Sequence, residues 1–218
     1  MKSLSWMAIA ILFIMAGSNS SHGQQPGKTG PEALAHWKHA DLHQVSIRQV
    51  WAQEPGGYKR TAIVSQPKHA RGKLPVIMLF HGGGGDAIGP MRQWEILTYD
   101  CIVISAQGYR KTWNIHGEPS KAPDVDFFKR LLKTIEETVP TADLENLSLI
   151  GFSNGSGFIH RLLIEIDSPF SRRNFMLGAS LIEQQYHDGE FWKPSSDTDL
   201  YDTTVSYTHL RAHETRPY

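Results

Sequence analysis

Residues Leu147 to Phe158 read LSLIGFSNGSGF, and the reading of this stretch decides the fold. A short apolar run ends in Gly151-Phe152-Ser153-Asn154-Gly155, and a helical pattern follows at once. That is a G-x-S-x-G arrangement in the context that gives it meaning, a strand, a sharp turn and a helix. Such a turn strains the backbone of its central residue. Small residues two before and two after keep the strand and the helix from colliding with it. Ser153 is expected at the tip, hydroxyl exposed, with the helix N-terminus behind it. The plain alternative is a surface turn made of glycine and serine, so the rest of the chain has to decide.

Upstream, Pro75 to Phe80 (PVIMLF) is a continuous apolar run, the pattern of a strand buried on both faces. It leads directly into His81-Gly82-Gly83-Gly84-Gly85-Asp86. Four glycines in a row cost conformational entropy wherever the backbone does not need them. Here they would let backbone N–H groups swing toward a substrate oxygen. A phosphate-binding loop is disfavoured, because no Gly-Lys-Ser/Thr follows.

The intervening and flanking segments alternate. Gln44 to Trp51 and Tyr58 to Val64 read as an antiparallel hairpin turning at Glu54-Pro55-Gly56-Gly57. Pro90 to Asp100 is helix-like, and Ile102 to Ser105 is a short buried strand. Asp124 is placed to cap a helix carrying Phe127, Phe128, Leu131, Leu132 and Ile135, which Pro140 ends. Gly155 to Ile166 forms the helix of the elbow, and Phe175 to Ile182 one more strand. Apolar strands alternating with amphipathic helices indicate an α/β fold with a mostly parallel sheet flanked by helices.

Composition narrows the function. Lys plus Arg and Asp plus Glu both number 22 in 218 residues, so the formal charge is zero. No basic stripe points to nucleic acid. No metal-ligand spacing appears and no cofactor motif is present. The single cysteine, Cys101, is expected to be a buried structural thiol. At the N-terminus, Met1-Lys2, an apolar run from Leu4 to Ala16 and small polar residues after it have the three-part form of a secretory signal peptide. The run is short for a membrane span. Residues 1–23 are therefore expected to be a leader. The mature protein is then expected to be secreted or periplasmic, with no stable membrane association.

A serine hydroxyl needs a general base, and the oxyanion that follows its attack needs aimed N–H donors. The glycine loop first and the serine elbow later is the chain order such chemistry requires. At this point the sequence resembles the polyhydroxybutyrate depolymerase and feruloyl esterase branch of the α/β-hydrolases. The resemblance is carried by PVIMLFHGGGG, CIVISAQGYRKTWN, APDVDFF and GFSNGSG, over about Leu74 to Ser180. It implies Ser153 as nucleophile, with Asn154 and Gly82 or Gly83 as oxyanion donors. It implies Trp113 beside the substrate cleft, and a small-molecule or polymeric carboxylic ester as substrate. It calls for no cofactor. His81, in an HG loop, is read as structural rather than as the base.

The match stops after the elbow. The family's acid and base follow further strands, and nothing after Ser153 offers a strand leading into the expected His-Gly-x-x-Asp. Glu183 to Asp202 reads as polar loop, and Val205 to Tyr218 resembles a translated sequencing-adapter tail. His209 and His213, with Asp197, Asp199 or Asp202, are declined as base and acid, since no strand carries them to the edge of the sheet. The expectation is a partial α/β-hydrolase domain over residues 24–204, incomplete on its C-terminal side and lacking triad acid and base. Such a polypeptide is expected to be inactive. The alternative is a non-catalytic α/β-hydrolase-like binding protein.

Overall fold

The computed structural model describes residues 30–166, 170–182, 185–187, 190–194 and 201–205. The expected leader over 1–23 and the adapter-like residues 206–218, His209 and His213 among them, lie outside the described residues. So do Asp197 and Asp199.

Six strands form one mixed sheet: β1 (Ala40–Trp51), β2 (Glu54–Pro67), β3 (Leu74–Phe80), β4 (Ile102–Ala106), β5 (Ala142–Phe152) and β6 (Arg173–Leu177). Their order across the sheet is β1-β2-β4-β3-β5-β6. β1 and β2 pair antiparallel, β2 joins β4 antiparallel, and β4, β3, β5 and β6 run parallel. Among the described residues three α-helices pack on this sheet: α1 (Ile88–Gln93), α2 (Asp124–Thr138) and α3 (Asn154–Glu165).

The apolar run of β3 explains why both faces are covered. Val76, Met78 and Phe80 point to one face, where Phe127, Phe128 and Leu131 of α2 and Phe158, Ile159 and Leu162 of α3 cover them. Ile77 and Leu79 point to the other, against Ile88 and Met91 of α1 together with Leu34, Trp37 and Trp94. Alternate residues thus reach opposite faces, and neither face meets water, as a parallel sheet requires.

Several boundaries differ from those the sequence suggests. The hairpin turns at Ala52-Gln53, since Trp51 already pairs with Glu54. Gln49 next pairs with Tyr58, so Pro55, Gly56 and Gly57 face Val50 alone and form a bulge, with Gly57 at φ +81°. The helix expected over Pro90 to Asp100 breaks at Trp94, whose backbone leaves the helical region, and continues as a 3₁₀ turn over Glu95–Tyr99. β6 spans Arg173–Leu177 rather than Phe175 to Ile182, and Gly178 at φ +77° ends it.

Two corrections go further. Asp124 makes no capping bond to α2; its carboxylate turns inward onto Arg60, both side chains fully buried. The segment read as polar loop over Glu183 to Asp202 contains strands β7 (Tyr186–His187) and β8 (Glu190–Pro194). These form a three-stranded antiparallel sheet with β9 (Tyr201–Val205). Phe191, Trp192, Thr203, Thr204 and Val205 supply aromatic and β-branched residues, and that propensity outweighs the polar composition around them.

Candidate active site

The elbow follows the end of β5. Ser153 has φ +46° and ψ −114°, a conformation L-residues rarely adopt, and it is solvent-exposed. Strain of this kind costs on the order of 1–3 kcal/mol and persists only where surrounding contacts enforce it.

Those contacts are visible. The Ser153 N–H donates to the Leu177 carbonyl at 2.8 Å, tying the turn to the end of β6. Ser156 adds a second tie. Its hydroxyl lies 2.8 Å from the Gly151 carbonyl and 3.0 Å from that of Leu177, and it accepts the Leu177 N–H at 2.9 Å. The two flanking glycines are sterically required. A Cβ on Gly151 would lie 2.6 Å from the Gly155 oxygen, and one on Gly155 would lie 2.4 Å from the Phe80 oxygen.

The glycine loop lies directly over this turn. A Cβ placed on Gly82 would sit 3.5 Å from Ser153 Cβ, and one on Gly83 3.8 Å from Asn154 Cβ. The loop closes on itself through the Gly85 N–H to the Gly82 carbonyl at 3.0 Å, and on Lys111 through the Gly84 N–H at 2.8 Å. The N–H groups of Gly82, Gly83 and Asn154 make no hydrogen bond among the described residues. Ser153, Asn154, Gly82 and Gly83 are thus brought together, with three unused donors at the N-terminus of the twelve-residue helix α3. Both features favour negative charge there.

His81 sits beneath the loop. Its Nδ1 lies 2.7 Å from the Gly82 carbonyl, and its Nε2 accepts the Gly108 N–H at 2.9 Å. Those bonds use both nitrogens, with the proton on Nδ1 toward Gly82. Burial lowers its pKa, opposed by the contact with Gly82 and by Asp86 and Asp124. His81 is therefore a neutral structural histidine rather than a base facing Ser153.

Trp113 stands differently from its expected place beside substrate. Its ring is fully buried, stacked on Phe158 at 4.9 Å and edge-on to Phe80 at 5.3 Å. No ring surface is left for a ligand. The indole Nε1–H donates to the His81 carbonyl at 3.0 Å. Its backbone N–H donates to Asn154 Oδ1 at 2.7 Å, and Asn154 Nδ2 donates to its carbonyl at 3.1 Å.

No described side chain hydrogen-bonds the Ser153 hydroxyl. His160 is buried in α3 with neither ring nitrogen hydrogen-bonded among the described residues, and burial lowers its pKa. Burial pushes the Cys101 thiol up to about 11, with Asp100 adding to the shift, so it is inert at neutral pH. Among the described residues no group of three or more His, Cys, Asp and Glu could hold a metal ion. None of the described helices is long and apolar enough to cross a membrane.

Some functional geometry escaped the sequence. Ser156 reads there as one more small residue of the elbow. The Arg60–Asp124 pair is 64 residues apart in sequence. It organises the loop after β4: Asp124 Oδ2 accepts the Asn114 N–H at 2.7 Å, and Arg60 also packs over Phe127. Gln185 holds the same loop to α3, donating toward the carbonyls of Ile115 and Gly157 at 3.0 and 2.8 Å. Only the presence of an arginine inside an apolar strand pattern could have signalled the ion pair.

A mostly parallel sheet covered on both faces, a glycine loop after β3 and a strained serine between β5 and α3 leave one description. The fold is that of the α/β-hydrolases. No family model matches the chain, and no curated protein matches it. Among solved structures it is similar to a thermostable esterase from Pseudomonas putida ECU1011, at 19% identity and TM-score 0.44, covering 64% of this chain and 43% of that one. It is also similar to LpqC, the poly(3-hydroxybutyrate) depolymerase from Bordetella parapertussis, at 20% identity and TM-score 0.45, covering 57% and 47%. Fungal esterases from Rhizomucor miehei stand at 18% identity and TM-score 0.47, covering 63% and 44%. The chain spans less than half the length of each.

Proposed function

We propose that this chain carries the nucleophile and oxyanion half of a secreted serine esterase acting on carboxylic esters, polyhydroxyalkanoate-, feruloyl- or related. The observation that supports it is a strained, exposed Ser153 beside a glycine loop whose Gly82 and Gly83 N–H groups make no hydrogen bond among the described residues. In this reading Ser153 Oγ attacks the ester carbonyl as a base takes its proton. The N–H groups of Asn154 and of Gly82 or Gly83 hold the resulting oxyanion. The alkoxide leaves with a proton, and water releases the acyl group. Each donor is expected to contribute on the order of 2.7–4 kcal/mol to barrier lowering.

The triad base and acid are proposed to be missing from this 218-residue polypeptide, which alone is expected to show no turnover. A non-catalytic binding protein on the same fold is favoured by one observation, the lack of a hydrogen-bond partner at the Ser153 hydroxyl among the described residues. Fluorophosphonate labelling with imidazole added as external base separates the two. An esterase half is labelled at Ser153 and the Ser153→Ala variant is not. A binding protein shows no difference between them.

A further inference from the structure

Trp113 has its side chain on one half of the proposed oxyanion site and its backbone on the other. The indole Nε1–H donates to the His81 carbonyl. No cis peptide bond occurs among the described residues, and in a planar trans peptide the C=O and the following N–H point in opposite directions. Fixing the His81 oxygen therefore fixes where the Gly82 N–H points. The second half follows the same logic. The Ser153 carbonyl accepts the N–H groups of Ser156 and Gly157 at 2.8 and 3.1 Å, which aims the Asn154 N–H. The Asn154 side chain is then clamped to the Trp113 main chain by two bonds.

A buried indole N–H needs an acceptor, but the packing of the ring does not decide which one. The ring is already held between Phe80 and Phe158, and a phenyl ring would fill much of that space. What a phenyl ring cannot supply is the N–H that reaches the His81 oxygen. His81 Nδ1 and the Gly85 N–H hold the next carbonyl, that of Gly82, in the same manner. The carbonyls of His81 and Gly82 are thus both tethered, while the N–H groups of Gly82 and Gly83 make no hydrogen bond among the described residues.

We infer that Trp113 is a positioning residue for oxyanion binding: its indole N–H aims the Gly82 N–H, and its main chain sets the distance from Gly82 to Asn154. It does so without touching substrate. The inference rests on the reading of Gly82 and Asn154 as oxyanion donors. A misplacement of about 1 Å at such a site can cost on the order of a hundredfold in rate, so a device that spans both halves has a function to serve.

The test uses the isotopically labelled 218-residue chain and phenylboronic acid, which adds to a serine oxygen and presents a tetrahedral boronate. Two replacements remove the indole N–H: Trp113→Phe, and 3-benzothienylalanine at position 113, which keeps the bicyclic shape with sulfur in place of N–H. The second guards against a packing defect in the first. In both, the His81 carbonyl carbon and the Gly82 amide nitrogen are expected to shift, and boronate affinity to fall about tenfold, the factor one ordinary hydrogen bond carries. Unchanged His81 and Gly82 resonances in a folded benzothienyl variant would overturn the positioning role. Failure of the esterase reading shows separately, as a boronate that fails to move the Gly82, Gly83 and Asn154 amides of the wild type in a Ser153-dependent way.

Discussion

The side-chain amide of Asn154 closes a two-bond ring on the main chain of Trp113, accepting its N–H at 2.7 Å and donating to its carbonyl at 3.1 Å. The residue after the elbow serine is thereby fixed by a segment 41 positions earlier in the chain. Asn154→Ala breaks both bonds and leaves two main-chain groups unpaired. Each unsatisfied group costs about 1–3 kcal/mol where water cannot reach it. The expected loss, read by urea denaturation, is about 2 kcal/mol; a midpoint shift too small for 0.5 kcal/mol would contradict the clamp.

The elbow glycines give a steric prediction with an internal control. A Cβ at Gly155 would press on the carbonyls of Phe80 and His81 at 2.4 and 2.7 Å, main-chain atoms that cannot move aside alone. Gly155→Ala is expected to cost about 3 kcal/mol or more, or to prevent folding. Gly56→Ala meets nothing within 4 Å and is expected to change stability by less than about 0.5 kcal/mol. Thermal denaturation of the two variants side by side is the check.

The Arg60–Asp124 pair is fully buried; Gln49 Oε1 and the Asn114 N–H add further bonds, and Arg60 Nε has no partner among the described residues. Removing one charge leaves the other buried and uncompensated, a loss of about 3–5 kcal/mol. Asp124→Leu should show that loss. Arg60→Met with Asp124→Leu should recover most of it. Non-additivity in urea titrations of the two single variants and the double variant measures the coupling.

Acid sensitivity follows from the buried histidines. Burial lowers the pKa of His160 and of His81, so the folded chain favours the neutral form of both. The unfolded chain takes up their protons near the ordinary value of about 6.5 and then binds more protons than the folded one. Stability rises with pH wherever that holds. Their contribution is thus complete above about pH 6.5 and is lost as pH falls through the depressed folded values. His160→Leu, which removes two buried nitrogens without a partner among the described residues, should flatten the decline in urea midpoint on the acid side. An equally steep decline would count against it.

The sequence revealed the parts of this fold that depend on local pattern. β3 and the elbow could be read from continuous apolar runs ended by glycine, and α2 from its three- and four-residue spacing. The pairing of Ser153 with Gly82 and Gly83 was legible from motif order alone. What the sequence hid depends on distant partners. Asp124 stands where a helix cap belongs, and only the fold reveals Arg60 beside it. The resemblance places Trp113 beside the cleft, but its packing between Phe80 and Phe158 brings together separate segments that no local pattern joins. The bulge at Pro55 to Gly57 imitates a turn by composition. The strands after Tyr186 were masked by the polar residues around their aromatic and β-branched positions.

The most direct test of Ser153 as a nucleophile beside an oxyanion site is its acylation by p-nitrophenyl acetate, with imidazole supplied as the base. The purified 218-residue chain is expected to release about one equivalent of p-nitrophenolate in a burst and to retain an acetyl group on Ser153, with no burst in Ser153→Ala. In buffer alone the two proteins should be indistinguishable. Equal behaviour of wild type and Ser153→Ala in imidazole would contradict the nucleophile. Sustained Ser153-dependent turnover without imidazole would contradict the proposal that the chain lacks the base and acid.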